Sequence, residues 1–431
     1  MLVRQTIFTG LIALSLSVAA AAPGIPYLPA ELGPSSFVIT AAGELYAWGY
    51  NEYGELGIGT TGSPVLAPVL VPRPQGVRSW RAVAGGQGSA AIGDDGNLYR
   101  WGNTNYASSS GGFQLTPLLV PKPSNVGRWL YVARDYGSTL IALANDRNLY
   151  QWDSRHPVDP LLVPKPEGVS SWLKVTTGRS YYLALAANGE LFDWGTTPRK
   201  LARPEGVTRW IDASSGVTHD LALGDNGELY QQDYTWPTPP RRLVPRPANV
   251  TRWKSMSASW NVSAAIGSDD RLYIWFSVGQ PVRPVPVSFP QPVRKWISVA
   301  AGTTAALMIG DDCHLYSWGY GDGSQVGTGN TITYRVVPVL VKNLEHLCVP
   351  AVPETEPGAL TLAPLPPLFQ REREFRFYVL GNAAEPFVLF RSPDLEHWMP
   401  LSTNPPLAGW RALSDTNVGS AAAFFYRVAP P

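Results

Sequence analysis

Apolar runs and turn residues follow one another in short bursts along nearly the whole chain, and seven of these bursts share a wording. A turn precedes Leu45-Tyr-Ala-Trp48, Leu98-Tyr-Arg-Trp101, Leu149-Tyr-Gln-Trp152, Leu191-Phe-Asp-Trp194, Leu229-Tyr-Gln-Gln232, Leu272-Tyr-Ile-Trp275 and Leu315-Tyr-Ser-Trp318. The spacing of these leucines shrinks from about fifty to about forty residues, a period that belongs to stacked or ring-arranged units. Each unit reads as four strands. In the second, Ser79-Trp-Arg-Ala-Val83 alternates like a half-buried strand, and Ser89-Ala-Ala-Ile92 is apolar enough to be buried on both sides. Asp94-Asp-Gly96 then supplies a tight hairpin, because Gly tolerates the positive φ that such turns need. The Leu-Tyr-x-Trp phrase is the third strand. Pro-bracketed Pro117-Leu-Leu-Val120 is the fourth, and proline there suits an outer edge.

The first-strand tryptophans are Trp80, Trp129, Trp172, Trp210, Trp253 and Trp296, one fewer than the phrases. The N-terminal unit lacks that strand, since Phe37-Val-Ile39 already stands at the second position, while Leu344 to Val349 falls where another first strand is due. A ring closed by the two chain segments resolves both, and closure leaves no blade face open to water. The expected fold is all-β: a seven-bladed β-propeller of four-stranded blades, closed by N- and C-terminal segments and followed by a small β-sandwich-like domain.

Composition agrees with many short strands, since the 431 residues include 16 Trp, 41 Gly and 41 Pro but only 16% charged residues. With 34 Lys+Arg against 33 Asp+Glu, the charge of +1 offers no attraction to nucleic acid. Arg4, the apolar run Ile7 to Val18 and Ala19 to Ala22 read as a signal peptide over residues 1–22, so a secreted, periplasmic or surface location is expected; an uncleaved anchor is the rival. The propeller is expected over 23–349, a Pro-rich linker over 350–367 and a small β-domain over 368–431. No further membrane span follows, and a monomer is expected. Cys313 and Cys348, both in the last unit, form a candidate disulfide, with two unlinked buried thiols the equal alternative.

Gly43-Glu-Leu-Tyr-Ala-Trp-Gly-Tyr-Asn-Glu-Tyr-Gly-Glu-Leu-Gly57 resembles the repeat of the regulator of chromosome condensation family, and Tyr316-Ser-Trp-Gly-Tyr-Gly-Asp-Gly-Ser-Gln-Val-Gly327 is a second copy. The resemblance implies a seven-bladed propeller used to bind other proteins. The family's His at the start of the second strand is matched by His219 alone. The tail phrase Ser392-Pro-Asp-Leu-Glu-His-Trp398 resembles a small β-domain at the C-terminus of secreted bacterial surface proteins, which implies an attachment role; sugar stacking on Trp398 or Trp410 is the alternative.

Little chemistry is legible. The five histidines show no ligand spacing, so no metal or cofactor is expected. Acidic segments such as Asp94-Asp-Gly-Asn97 fall at equivalent hairpins, and Gly319 to Gly327 has no following helix to cradle phosphate. Two rings remain. Arg73, Lys122, Lys165, Arg203 and Arg246 share one repeat position, a basic rim suited to an acidic partner or balanced by the recurrent acids. The tips between first and second strands vary, with Arg134, Tyr136, Arg179, Tyr181, His219 and Trp260 as candidate partner-binding residues, against packing between blades. A non-enzymatic, secreted protein-binding propeller is the leading expectation, with a glycan-binding attachment protein and a polysaccharide-acting enzyme as rivals.

Overall fold

The structure is a computed structural model. It describes residues 3–6; 35–344 apart from 63, 87, 104–112, 136–138, 154–157, 179–180, 196, 235–240, 277–281, 304, 321–325 and 329–333; residue 347; and 360–364, 375–383, 386–392, 397–415 and 423–429. Two compact units emerge, one centred on Pro26–Cys348 and the other on Val349–Pro431.

The repeated wording becomes seven antiparallel sheets in a ring, a β-propeller. In the second blade Trp80–Ala84, Gly88–Gly93, Leu98–Gly102 and Gln114–Leu119 pair in that order. Blades three to seven repeat the order, starting at Trp129, Trp172, Trp210, Trp253 and Trp296. Second strands such as Gly88–Gly93 and Leu140–Ala144 are buried throughout, as their apolar wording requires. Fourth strands are exposed edges, down to two residues at Leu161–Leu162 and Arg199–Lys200.

One aromatic joint recurs in six blades. Each first-strand tryptophan meets the phrase aromatic edge-on: Trp80 and Tyr99 have ring centroids 5.6 Å apart at 90°, and Trp172 and Phe192 lie 5.5 Å apart at 88°. Trp129–Tyr150, Trp210–Tyr230, Trp253–Tyr273 and Trp296–Tyr316 share the T-shaped arrangement that ring quadrupoles favour. The backbone then links neighbours, because each of these tryptophan N–H groups donates to the preceding blade's hairpin, as Trp80 does to the Gly43 carbonyl at 2.8 Å. Side-chain hydroxyls add staples between inner strands. Thr176 Oγ1 accepts from Ser215 N, Ser214 Oγ from Ala258 N and Ser257 Oγ from Ala301 N, joining blades four to seven in sequence.

Closure is visible in one hydrogen bond and one close packing contact. Within blades two to seven the residue at the end of the second strand donates to the carbonyl just before the first-strand tryptophan, as Asp94 N does to Ser79 O at 2.8 Å. The first blade has three strands among the described residues, and there Ala41 N donates to Leu347 O at 2.8 Å, so the C-terminal segment takes the equivalent place. Gly57 of the first blade, at φ 71°, backs onto Trp101 of the second, where a Cβ would lie 2.6 Å from Nε1. Gly327 of the seventh blade backs onto Trp48 of the first at 2.7 Å, with φ 64°. Gly327→Ala should therefore cost about 2 kcal/mol in urea unfolding, from left-handed strain and a displaced indole; an unchanged midpoint would remove that contact from closure.

Strand direction gives the ring two unlike faces. The hairpin face is regular: Tyr99, Tyr150 and Tyr273 donate to Asp95, Asp146 and Asp269 at 2.6, 2.7 and 2.7 Å. Burial and the Asp95 bond push the Tyr99 phenol up to about 12. The basic rim lies here and is internally balanced. Arg73, Arg203 and Arg246 face Glu44, Glu190 and Glu228, while Lys122 and Lys165 donate to the Gly127 and Ser170 carbonyls at 2.9 Å.

In the C-terminal unit, Val3–Thr6, Ala423–Ala429, Phe387–Ser392 and Met399–Asn404 form one sheet. Leu360–Pro364, Phe375–Ala383 and Leu407–Asp415 form a second. Four residues of the segment read as a signal thus pair as an edge strand, with Val3 opposite Tyr426. Among the described residues no helix is long and apolar enough to cross a membrane. Cys313 is a free, half-buried thiol at φ 63°, and Cys348 lies outside the described residues.

Candidate functional site: the tip face of blades four to six

The opposite face departs from the repeat most strongly where the fifth blade breaks its wording. In four blades the phrase tryptophan packs on the first-strand tryptophan, with centroids at 6.3, 5.3, 6.2 and 6.2 Å for Trp80–Trp101, Trp129–Trp152, Trp172–Trp194 and Trp253–Trp275. The fifth blade has Gln232 instead. There the Arg241 guanidinium stands over the Trp210 ring, 5.7 Å from its centroid, so a cation–π contact takes the place of an indole.

A buried cation needs a counter-charge, and Asp220 provides it. This aspartate lies on the second strand His219–Gly224, where the first, second and sixth blades carry Ser36, Ser89 and Ser263. Asp220 is fully buried and accepts from Arg241 Nη1 and from the Tyr234 hydroxyl. Tyr234 packs against Tyr181 of the fourth blade with centroids 4.0 Å apart at a 45° tilt, and Tyr181 donates to the Gly216 carbonyl at 2.6 Å. Burial first, then the Asp220 charge, push both phenols well up. Two further pairs flank the cluster: Arg199 Nη2 to Asp193 at 2.6 Å, and Arg242 to Asp233. Gln231 ties the group to the sixth blade, donating to Asp233 at 2.6 Å and accepting from Trp275 Nε1 at 2.7 Å.

His219 is also fully buried, which corrects its expected place as an exposed anchor. Its ring bonds the Trp260 carbonyl and lies 2.6 Å from Ser263 Oγ, across the blade boundary. Burial pushes its pKa down to about 3, partly countered by the Trp260 carbonyl, so the imidazole is neutral. Ser beside His raises the question of a nucleophile, but both residues are 0% exposed and no substrate reaches them.

The other expected anchors divide. Arg134 is buried, its Nη2 donating to the Asn103 carbonyl at 3.2 Å and its own carbonyl accepting from Thr177 Oγ1 at 2.7 Å; it packs between blades and is no surface anchor. Tyr181 is half-buried with its hydroxyl committed to the rim. Trp260 is half-buried at φ 22°, and its carbonyl accepts from Val217 N and Thr218 N, holding the fifth tip to the sixth. Tyr136 and Arg179 lie outside the described residues. Tyr181, His219 and Trp260 thus converge on one site, while Arg134 belongs elsewhere. Asp220, Tyr234, Arg241, Arg199 and Arg242 escaped sequence reasoning, although a charged residue in an apolar second strand and the missing tryptophan at 232 both signal them. Among the described residues no group of three His, Cys, Asp or Glu side chains could hold a metal ion.

The profile of the Regulator of chromosome condensation (RCC1) repeat matches residues 42–92, from the first blade into the second, and 312–352, from the seventh blade onward. Those two stretches carry the RCC1 repeat. The Arabidopsis thaliana Ultraviolet-B receptor UVR8 is 37% identical over 70 residues, a stretch covering 16% of this chain and 16% of the receptor. Prp20p of Saccharomyces cerevisiae has the same fold with a TM-score of 0.59 at 20% identity, covering 73% of this chain and 88% of that one. Human WBSCR16 superposes with a TM-score of 0.59 at 13% identity, over 69% and 94% of the two chains. Prp20p and WBSCR16 share the propeller fold with this chain.

Proposed function

We propose that this RCC1-repeat propeller is an exported, non-enzymatic protein-binding module that engages its partner through the tip face of blades four to six. The carrying observation is the contrast between faces. The hairpin face repeats one clasp and satisfies its own charges, whereas the tip face carries unrepeated aromatic and charged groups on the rigid blades. Rigid scaffolds with individual loops suit recognition. The Prp20p structure is described with binding to Gsp1p and histones, which supports binding as a use of this fold. Arg4, the apolar run 7–18 and Ala19 to Ala22 support export.

A photoreactive side chain at Asn261, beside Trp260, should form an adduct with a single extracellular protein. The same group at Arg78, 91% exposed on the hairpin side, should form none. Adducts from Arg78 alone, or capture of polysaccharide in place of protein, would sink this reading.

A further inference from the structure

The outer strands break their pattern in the same two blades. The outer-strand residue opposite the third position of the phrase is Val69, Leu118, Leu161, Val285 and Val339 in five blades, but Arg199 and Arg242 in the fourth and fifth. Packing does not explain the change, because this edge is exposed: Leu161 is 42% and Val285 60% exposed. The two arginines pair inward with Asp193 and Asp233, whose side chains are 13% exposed each, leaving the guanidinium groups outermost at 75% and 40%. Arg241 lies deeper, its side chain 8% exposed and paired with Asp220. The Asp193 charge acts on Arg241 and on Tyr181, and Arg199 interacts with Tyr234, so Arg199 and Arg241 belong to one electrostatic unit spanning both blades.

We propose that Arg199 and Arg242 form a receptor for an acidic, Asp- or Glu-rich segment of the partner protein. This rests on the protein-binding reading and names the chemistry of the same site. The aspartates lie beneath and the guanidinium groups above, so an approaching chain meets the positive layer first. At 75% and 40% exposure these arginines stand further out than Arg73, Arg203 and Arg246 of the hairpin side, at 33%, 31% and 34%, and their free N–H groups suit carboxylates.

The test uses the full chain and a fluorescein-labelled octaglutamate peptide, read by anisotropy, with octaserine and octalysine as controls. Octaglutamate alone should bind, more weakly as salt rises. Arg199→Gln with Arg242→Gln should weaken it roughly tenfold, whereas Arg78→Gln should leave it unchanged. Both arginines are exposed, and circular dichroism checks the fold. The charge-keeping Arg199→Lys with Arg242→Lys should recover only part of the affinity. Equal binding of octaserine, an unaffected double Gln variant, or an equal loss with Arg78→Gln each overturns the proposal. If the Asn261 adduct persists while octaglutamate fails to bind, the acidic-segment inference falls and the protein-binding reading stands.

Discussion

Acid should unfold this propeller through His219 well before its carboxylates are neutralised. The folded imidazole titrates near about 3, against an ordinary 6.5 once the chain unfolds. The unfolded state therefore binds the extra proton throughout that window. Stability is complete above pH 6.5 and is lost as pH falls toward 3. At pH 4.5 the loss relative to pH 7.5 amounts to about 3 kcal/mol. His219→Gln carries no such proton. Urea midpoints at the two pH values should separate by about 3 kcal/mol more in the parent chain than in the variant. Equal separations would mean that water reaches the imidazole and that the tip between blades five and six is open. The size of the effect follows from position, because His219 bonds Trp260 and Ser263 across the blade boundary and cannot relax into solvent without parting them.

The architecture was readable because a repeat states each packing rule several times. The Leu-aromatic-x-Trp phrase specifies a strand whose aromatic meets its own blade's first-strand tryptophan edge-on, and the missing first strand beside Phe37 pointed to closure, which the Ala41–Leu347 bond supplies. The site was less legible for the same reason. His219 and Tyr181 stand at varying tips, and varying positions on a rim look exposed when only the wording is known. Their burial depends on Gly216, Trp260 and Ser263, contacts between blades that no spacing within one blade encodes. The basic rim shows the converse. Glu44, Glu190 and Glu228 each sit next to a phrase leucine and each meet an arginine, whereas Asn97 and Asn148 accompany lysines that turn to carbonyls instead. That pairing was present in the sequence as a covariation among repeats, and it turns a rim of cations into a self-neutralising face.

The Asp220–Arg241 pair yields the largest expected loss, and the repeats themselves supply its control. Removing one partner strands a buried charge, so Arg241→Leu or Asp220→Ser alone should cost about 3–5 kcal/mol. The second and sixth blades solve the same space with an indole at the position of Gln232 and serine at that of Asp220, in Trp101 with Ser89 and Trp275 with Ser263. Building that solution into the fifth blade, as Asp220→Ser, Gln232→Trp and Arg241→Leu together, should return stability to within about 1 kcal/mol of the parent or above it. Urea unfolding of the single and triple variants checks both halves. A triple variant as unstable as the singles would show that Tyr234, left without its acceptor, needs the carboxylate more than Trp210 needs a neighbour. If stability returns while octaglutamate binding is lost, the ionic cluster costs the fold little and serves the surface above it. The fifth blade then departs from its repeat for the sake of a partner, and the remaining blades supply the rigid ring that holds the departure in place.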